Sequence, residues 1–320
     1  MQNQTRRFAD GRKVAVVGAG LVGTSYAFAL VNQKLCDEIV IVDLDEKKAA
    51  AEAMDLNHGL AFSESRIQIS AGSYADCADA DLMVICAGVP QRPGESRIDL
   101  LGRNDAVVRS IVRSAIHAGF DGIFLLSTNP VDLMTLSALR ESGFPPERVL
   151  GSGTTLDTAR LKYLLGQYFS VDSRNVHAYV IGEHGDSEIV PWSQAMIGTK
   201  PVWEICGENG ELYHKEEILA IENEVRNAAQ SIIEAKKATY YGIGMALARI
   251  TRAIFGDEHC VLTLSTLLDG EYGQHDVCIG TPVIVGRQGA IRKMTLRLSG
   301  EELERFGTSC DILRTAAHSL

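Results

Sequence analysis

The first half of the chain alternates short apolar runs, rich in β-branched residues, with longer segments of helical periodicity. Six such runs occur, at 14–17, 38–42, 67–70, 82–86, 123–127 and 148–150. Consecutive strands separated by helix-sized gaps are joined by crossover connections, which favour a parallel sheet covered by helices on both faces. We therefore expect residues 1–150 to form a doubly wound parallel sheet of the α/β class.

The second half shows a different pattern. Amphipathic helices are predicted over 215–237 and 241–255, followed by strand-like runs at 261–268, 277–279 and 282–285. Asp269-Gly270 and Gly280-Thr281 between these runs are turn signals. The capping box Ser299-Gly300-Glu301-Glu302 predicts the start of a closing helix. Residues 151–320 are thus expected to form an α+β substrate domain with antiparallel strands.

Charge and cysteine content exclude several classes of protein. The formal net charge of −10 argues against a nucleic-acid or anionic-membrane partner, and no apolar run is long enough to span a bilayer. The seven cysteines are scattered and form no Cys-x-x-Cys pair. This usage favours reduced thiols in a cytoplasmic protein over a disulfide framework or a metal site.

A glycine-rich segment, Gly18-Ala19-Gly20-Leu21-Val22-Gly23, lies between the first predicted strand and a helical stretch. Gly18 permits a tight turn, Gly20 lets a pyrophosphate approach the backbone, and Gly23 lets the helix pack closely on the sheet. This context favours a dinucleotide-binding (Rossmann) domain, and a glycine-rich turn in another doubly wound protein is the alternative.

Asp43 ends the second predicted strand, about twenty residues after Gly23. A carboxylate at this position holds the adenosine ribose hydroxyls of a dinucleotide and repels a 2′-phosphate. The sequence therefore predicts NAD, rather than NADP, as the cofactor.

His184 lies between two glycines, and the acidic residues Glu183, Asp186 and Glu188 are close to it in sequence. The ordinary histidine pKa is about 6.5, so a nearby carboxylate can keep the ring protonated near neutral pH for proton transfer to a substrate oxygen. An ordinary loop histidine is the alternative interpretation.

Two further segments carry candidate substrate residues. The stiff, Gly- and Pro-containing segment 88–97 resembles a lid that carries Gln91 and Arg97, although a surface loop is the alternative. Asp157 and Arg160 share one face of a predicted helix because they are three residues apart. A surface ion pair would give the same spacing.

Taken together, and in this order, the motifs closely resemble those of the L-lactate dehydrogenases in the lactate/malate dehydrogenase family. The resemblance covers nearly the whole chain. It rests on Gly18-Ala19-Gly20-Leu21-Val22-Gly23, the 90–97 segment, Thr128-Asn129-Pro130-Val131-Asp132, Asp157-Thr158-Ala159-Arg160, Gly182-Glu183-His184-Gly185-Asp186 and Ala238-Thr239-Tyr240-Tyr241-Gly242.

The resemblance implies a reversible hydride transfer between NADH and pyruvate that gives L-lactate, as in glycolysis and fermentation. His184 is implied as the proton donor and acceptor, and Asp157 as the residue that stabilises its imidazolium. Arg160 is implied to bind the substrate carboxylate through two parallel hydrogen bonds. Arg97 is implied to polarise the keto oxygen when the lid closes.

Other residues are assigned by the same resemblance. Asn129 is implied to contact the reacting oxygen and the nicotinamide ribose, Val22 and Ile243 to contact the cofactor, and Thr239 to line the methyl pocket. At Gln91 the malate enzymes carry an arginine that pairs with the second carboxylate of oxaloacetate. Burying that carboxylate unpaired costs on the order of 3–5 kcal/mol, so pyruvate is the expected substrate.

The resemblance also bears on an effector, on assembly and on alternative functions. Lys162 and His177 stand where bacterial members activated by fructose 1,6-bisphosphate have an arginine and a histidine. The alternative is that Lys162 lies on a solvated face and His177 is a buried strand residue. A homotetramer is implied by the family alone. The alternative functions are malate dehydrogenase activity on oxaloacetate and a catalytically silent NAD-binding sensor.

Overall fold

The parallel sheet expected in the first half is present. The computed structural model describes residues 11–89, 97–210 and 212–320, with the backbone alone for 97–99. Gln91 and the rest of the 90–96 segment lie outside these residues. Six parallel strands have the spatial order β6-β5-β4-β1-β2-β3; they are β1 (Lys13–Val17), β2 (Glu38–Val42), β3 (Gln68–Ala71), β4 (Leu82–Ile85), β5 (Ile123–Leu126) and β6 (Val149–Gly151).

Helices cover both faces of this sheet. Those described in the first half are α1 (Leu21–Gln33), α2 (Glu46–Leu60), α3 (Arg97–His117) and α4 (Val131–Ser142). Strand β1 shows why two layers are needed, because Val14 and Val16 join one buried cluster with α1 and α2. Ala15 and Val17 point the other way and join a second cluster with α3 and α4. The predicted doubly wound fold is confirmed.

The second half adds helices and antiparallel strands. Its helices are α5 (Thr155–Tyr168), α6 (Val202–Glu208), α7 (Lys215–Lys236), α8 (Tyr241–Phe255) and α9 (Gly300–Ala317). Its strands are β7 (Val176–His177), β8 (Met196–Ile197), β9 (Lys200–Pro201), β10 (Cys260–Asp269), β11 (His275–Gly286) and β12 (Gly289–Lys293). The predicted capping box is confirmed, since Ser299 N donates to Glu302 Oε2 at 2.8 Å and Glu302 N donates to Ser299 Oγ at 3.3 Å.

The predicted turn at Gly280-Thr281 is wrong, because β11 continues through both residues. A side chain at Gly280 would lie 2.7 Å from Thr154 Oγ1 and 2.8 Å from Gly182 O. This glycine therefore serves a close approach of two backbones rather than a turn.

Strands β7, β8 and β9 form a small antiparallel sheet of their own, whereas β10, β11 and β12 do not. Strand β10 pairs with β6 through Ser265 and Gly151, so β12, β11 and β10 extend the parallel strands into one sheet of nine. Helix α8 packs on α1, where the Tyr26 hydroxyl and Thr251 Oγ1 are 2.6 Å apart. Among the helices that the structure describes, none combines the length and apolar character needed to cross a membrane.

Candidate active site

The glycine loop between β1 and α1 is held closely at both ends. Gly18 has φ +105°, and a Cβ there would lie 2.6 Å from Ala87 N. A Cβ at Gly23 would lie 2.0 Å from Gly18 O. At Gly20, by contrast, a Cβ would meet nothing within 4 Å. The loop therefore packs against protein at its first and third glycines and faces open space at the second.

Helix α1 begins at this open side. Gly20 is its N-cap, no side chain caps it, and its first turn contains no acidic residue. The first N–H groups of a helix lack partners within the helix and favour an anion. Val22 is half-buried and packs on the cluster between α1 and the sheet. The backbone at Gly20 thus fits the pyrophosphate of a dinucleotide.

Asp43 follows β2 directly and contacts the glycine loop. Its Oδ2 accepts a hydrogen bond from Ala19 N at 2.7 Å, and its Oδ1 accepts one from Asp45 N at 3.0 Å. Each carboxylate oxygen can accept a further hydrogen bond. The half-buried carboxylate is therefore fixed beside the loop with capacity left for ribose hydroxyls.

His184 lies on a loop whose ends are paired. Ile181 and Ile189 exchange two backbone hydrogen bonds of 2.9 Å. His184 N donates to Asp132 Oδ2 on α4 at 2.8 Å, and Glu183 N donates to Ser309 Oγ on α9 at 2.8 Å. These contacts fix the backbone that carries the histidine ring.

Helix α5 is tied to the strand segment that leads into this loop. Thr154 Oγ1 donates to Val180 O at 2.6 Å, and Val180 N donates to Thr158 Oγ1 at 2.9 Å. Asp157 lies in the first turn of α5, where the helix dipole favours a negative charge. The two ties place this carboxylate beside the His184 ring.

The Asp157 carboxylate is shared by two cationic side chains. His184 Nδ1 lies 2.6 Å from Asp157 Oδ2, and Arg160 Nη1 donates to Asp157 Oδ1 at 2.8 Å. The side chain of Asp157 is 3% exposed, that of Arg160 14% and that of His184 26%. The pair 157 and 160 is therefore largely buried, unlike the surface ion pair considered from the spacing.

Electrostatics favour the charged forms of both partners. Burial lowers the pKa of His184, but the Asp157 carboxylate outweighs this effect and raises it to about 9. Burial alone would raise the pKa of Asp157, yet His184 and Arg160 hold it below its ordinary range. Nδ1 of His184 accordingly donates to a carboxylate, which leaves Nε2 for proton exchange with a substrate.

The remaining predicted substrate and nicotinamide residues lie on loops and helix ends. Asn129 is exposed at a cis peptide bond with Pro130, and its carbonyl accepts a hydrogen bond from Asn104 Nδ2 at 2.8 Å. Thr239 is half-buried between α7 and α8, and Ile243 is half-buried in the first turn of α8. Arg97 begins α3, but its side chain and Gln91 lie outside the described residues.

Lys162 and His177 lie on neighbouring elements, α5 and β7. Lys162 is half-buried, and its Nζ lies 5.6 Å from the Tyr179 ring centroid. Burial lowers the pKa of Lys162. His177 is exposed, so the interpretation of His177 as a buried strand residue is wrong.

Two residues that position the histidine loop were not recognised from the sequence. Asp132 is part of the motif Thr128-Asn129-Pro130-Val131-Asp132, which was its only signal, and burial raises its pKa to about 6 although the bond from His184 N opposes this. Ser309 had no signal, because it lies 126 residues from Glu183 in the chain.

Comparison with known proteins gives the same family along nearly the whole chain. The lactate/malate dehydrogenase NAD-binding domain model matches residues 12–151, and the lactate/malate dehydrogenase alpha/beta C-terminal domain model matches residues 154–319. NAD is therefore the cofactor, as the sequence predicts.

Named relatives agree with this match. The L-lactate dehydrogenase of Geobacillus stearothermophilus is 52% identical over 305 residues, 95% of this chain and 96% of the relative. That of Geobacillus thermodenitrificans (strain NG80-2) is 53% identical over 304 residues, with the same two coverages.

Solved structures agree as well. MGS-M5, a lactate dehydrogenase from a Medee basin deep-sea metagenome library, has a TM-score of 0.94 at 49% identity and covers 96% of this chain and 98% of its own. The ligand-bound minor L-lactate dehydrogenase of Enterococcus mundtii has a TM-score of 0.94 at 42% identity, with 97% and 98% covered. The resemblance inferred from the motifs is confirmed, and the chain belongs to the lactate/malate dehydrogenase family.

Proposed function

We propose that this chain is an NAD-dependent L-lactate dehydrogenase, which converts pyruvate, NADH and a proton into L-lactate and NAD, and runs in reverse at high lactate and NAD. One observation carries the proposal: a single buried carboxylate, Asp157, contacts both the proton donor His184 and the cation Arg160. A 2-keto acid has a carboxylate next to its reacting carbonyl, so it can use both groups at once.

The residues divide the chemistry between them. Arg160 binds the substrate carboxylate in a two-pronged contact and so orients the keto carbon. His184 gives a proton from its imidazolium to the keto oxygen, and Asp157 stabilises the charged ring before that step. Arg97 polarises the same oxygen. When bound, NADH supplies the hydride that the keto carbon receives.

The cofactor is assigned to the glycine loop and its neighbours. The open backbone at Gly20 would hold the pyrophosphate, Asp43 would hold the ribose hydroxyls, and Ile243 would contact the nicotinamide ring. We also infer that residues 1–150 are the dinucleotide-binding domain and 151–320 the substrate domain. The scattered cysteines, which favour free thiols, support a cytoplasmic location.

Gln91 decides between pyruvate and oxaloacetate. A neutral side chain there leaves the second carboxylate of oxaloacetate unpaired, at a cost on the order of 3–5 kcal/mol, which is roughly a hundredfold or more in selectivity. Pyruvate has a methyl group at this position and avoids the penalty. Thr239, which lines the methyl pocket, disfavours bulky branched 2-keto acids.

The test measures NADH oxidation with pyruvate and with oxaloacetate, and compares kcat/KM. The unmodified protein should prefer pyruvate, and Gln91→Arg should reverse the preference. Arg92 adjoins Gln91 in the sequence, so Arg92→Gln is the matched control and should leave the preference unchanged. A preference for oxaloacetate in the unmodified protein would contradict the assignment. If Arg92→Gln then lost this preference for oxaloacetate, Arg92 would be identified as the residue that faces the substrate.

We further propose that fructose 1,6-bisphosphate activates a homotetramer through Lys162 and His177. In support, His177 is exposed on β7 and Lys162 lies on the adjoining helix α5. Lysine binds phosphate as a point charge, without the planar fork of arginine. Activation of pyruvate reduction by fructose 1,6-bisphosphate should disappear in Lys162→Gln and in His177→Gln. Turnover without the effector and the oligomeric state, determined by light scattering, establish whether the effector acts through assembly.

A further inference from the structure

Glu188 is a buried carboxyl group on the His184 loop. It is 3% exposed, and one of its carboxylate oxygens lies within 4.8 Å of a carboxylate oxygen of Asp157 and a ring nitrogen of His184. Its backbone is hydrogen-bonded on both sides, because Glu188 N donates to Gly185 O at 3.2 Å and Glu188 O accepts from Arg226 Nη2 at 3.0 Å. A second carboxyl group therefore adjoins Asp157 and His184, the pair assigned to proton transfer.

The charged groups around Glu188 come from three elements. His184 shares its loop, Asp157 and Arg160 face it from α5, and Arg226 faces it from α7. Arg226 is already engaged, since its Nη2 also donates to Glu222 Oε1 at 3.2 Å. Burial and the Asp157 charge raise the pKa of Glu188 to about 8, although His184, Arg226 and Arg160 oppose this. Near neutral pH the carboxyl group is therefore neutral.

The charge state of Glu188 determines how favourably an anionic substrate binds. With Glu188 neutral, the two cations His184 and Arg160 exceed the single anion Asp157 by one charge, which a substrate carboxylate neutralises. With Glu188 ionised, the charges of these four groups sum to zero. A substrate carboxylate would then add an uncompensated negative charge to a buried site. Such a charge is unfavourable at low effective dielectric.

We propose that Glu188 is a positioning residue whose neutral form admits the substrate carboxylate to Arg160, so that substrate binding depends on two protons, one on Glu188 and one on His184. The inference rests on the proposed function. If His184 alone had to be protonated, substrate binding would depend on one proton. The proposed role of Glu188 adds a second.

The test is the pH dependence of oxamate binding to the NADH complex of the whole protein. Oxamate is an unreactive isostere of pyruvate with the same carboxylate. In the unmodified protein the logarithm of Kd should rise with pH at a slope that approaches two above pH about 9, because both protons are lost. Ionisation of Glu188 alone should weaken binding roughly a hundredfold or more, so that its proton stays bound in the complex over this pH range.

Glu188→Gln mimics the neutral acid. This variant should bind oxamate within about threefold of the unmodified protein at pH 6.5 and reach a slope of only one. The midpoint of the pH dependence that remains in this variant should lie at lower pH, because Glu188 helps to raise the pKa of His184. Glu183→Gln is the matched control, since Glu183 shares the loop and accepts from Ser187 Oγ at 2.5 Å. It should keep the slope of two.

A slope of one in the unmodified protein would overturn the proposal, as would a slope of two in Glu188→Gln. Equal weakening of binding by Glu188→Gln at every pH would also overturn it, because that result indicates a structural role only. The slope in the unmodified protein decides the question even if the variant does not fold. Pyruvate turnover separates the two ideas: normal turnover with a slope of one removes only the role of Glu188, whereas absent turnover removes the proposed function and this inference together.

Discussion

His184 Nδ1 lies 2.6 Å from Asp157 Oδ2, and the loop that carries this histidine is fixed separately by α4 and α9. The ring is thus oriented by one carboxylate, and its loop is held by Asp132 and Ser309. Because the two functions belong to different residues, substitutions can separate proton affinity from loop position.

Asp157→Asn should move proton transfer to lower pH. Burial lowers the pKa of His184, but Asp157, aided by Asp132 and Glu188, raises it to about 9. Removing the Asp157 carboxylate should therefore bring this pKa toward its ordinary value of about 6.5. Pyruvate reduction needs the protonated ring, and its alkaline limb in kcat/KM between pH 5.5 and 9.5 should shift downward accordingly. Asp172→Asn, on the surface, is the control. An unchanged pH profile would remove Asp157 from the mechanism.

Arg160→Lys should weaken pyruvate binding. Lysine keeps the charge but lacks the planar fork, which should cost about 2–3 kcal/mol, or roughly 30- to 150-fold in the KM for pyruvate. NADH affinity should stay within about twofold, because the substitution does not touch the glycine loop. Arg174→Lys is the control, since Arg174 forms a similar two-pronged contact with Asp172 on the surface. Equal losses of pyruvate and NADH binding would indicate general disruption instead.

Two glycines of one loop should respond differently to alanine. At Gly20 a Cβ meets nothing within 4 Å, and the backbone is extended at φ −81° and ψ −179°. Gly20→Ala should therefore fold normally and bind NADH at least about tenfold more weakly. Gly23→Ala should destabilise the protein itself, because its Cβ would lie 2.0 Å from Gly18 O. Chemical denaturation and NADH titration distinguish the two results, and normal NADH binding by Gly20→Ala would contradict the cofactor assignment.

Ser309→Ala should loosen the histidine loop. It removes the acceptor of Glu183 N and the partner of Ser187 Oγ, which lies 2.8 Å from Ser309 Oγ. An unsatisfied buried donor costs roughly 1–3 kcal/mol, so the urea midpoint and kcat should both fall. Thr308→Ala, at an exposed neighbouring position on α9, should change neither. Loss of stability without any change in kcat would show that the loop keeps its catalytic geometry without this tie.

Local patterns predicted most of the fold. The six apolar runs and the two long amphipathic helices have clear sequence patterns. The structure has these strands and helices within one or two residues of the predicted bounds. Gly280 misled the prediction because a glycine in a strand signals either a turn or a close backbone contact, and only the position of Thr154 decides between them. Strand β12 was missed since its Gly289–Lys293 sequence is short and ends in two charged residues.

The site was less accessible to local reasoning. Asp157 and Arg160 share a helix, so their contact follows from spacing. Asp157 and His184 are 27 residues apart, and their pairing was implied only by the resemblance. Ser309 comes from the last helix, so its contact with the loop depends on the complete tertiary fold. The roles of all these residues remain predictions for the variants above.

The pairing of Gly151 with Ser265 restricts how the molecule can open. Strands on both sides of the cofactor and substrate residues belong to one hydrogen-bonded ladder, and a rigid rotation of one half against the other would break the ladder at that point. A side chain on Gly153 would also lie 2.4 Å from Ser265 N, which leaves little space for sliding. Reactant entry and product exit must therefore depend on rearrangements of single loops or helix ends around an undivided framework, rather than on a jaw-like closure of two lobes.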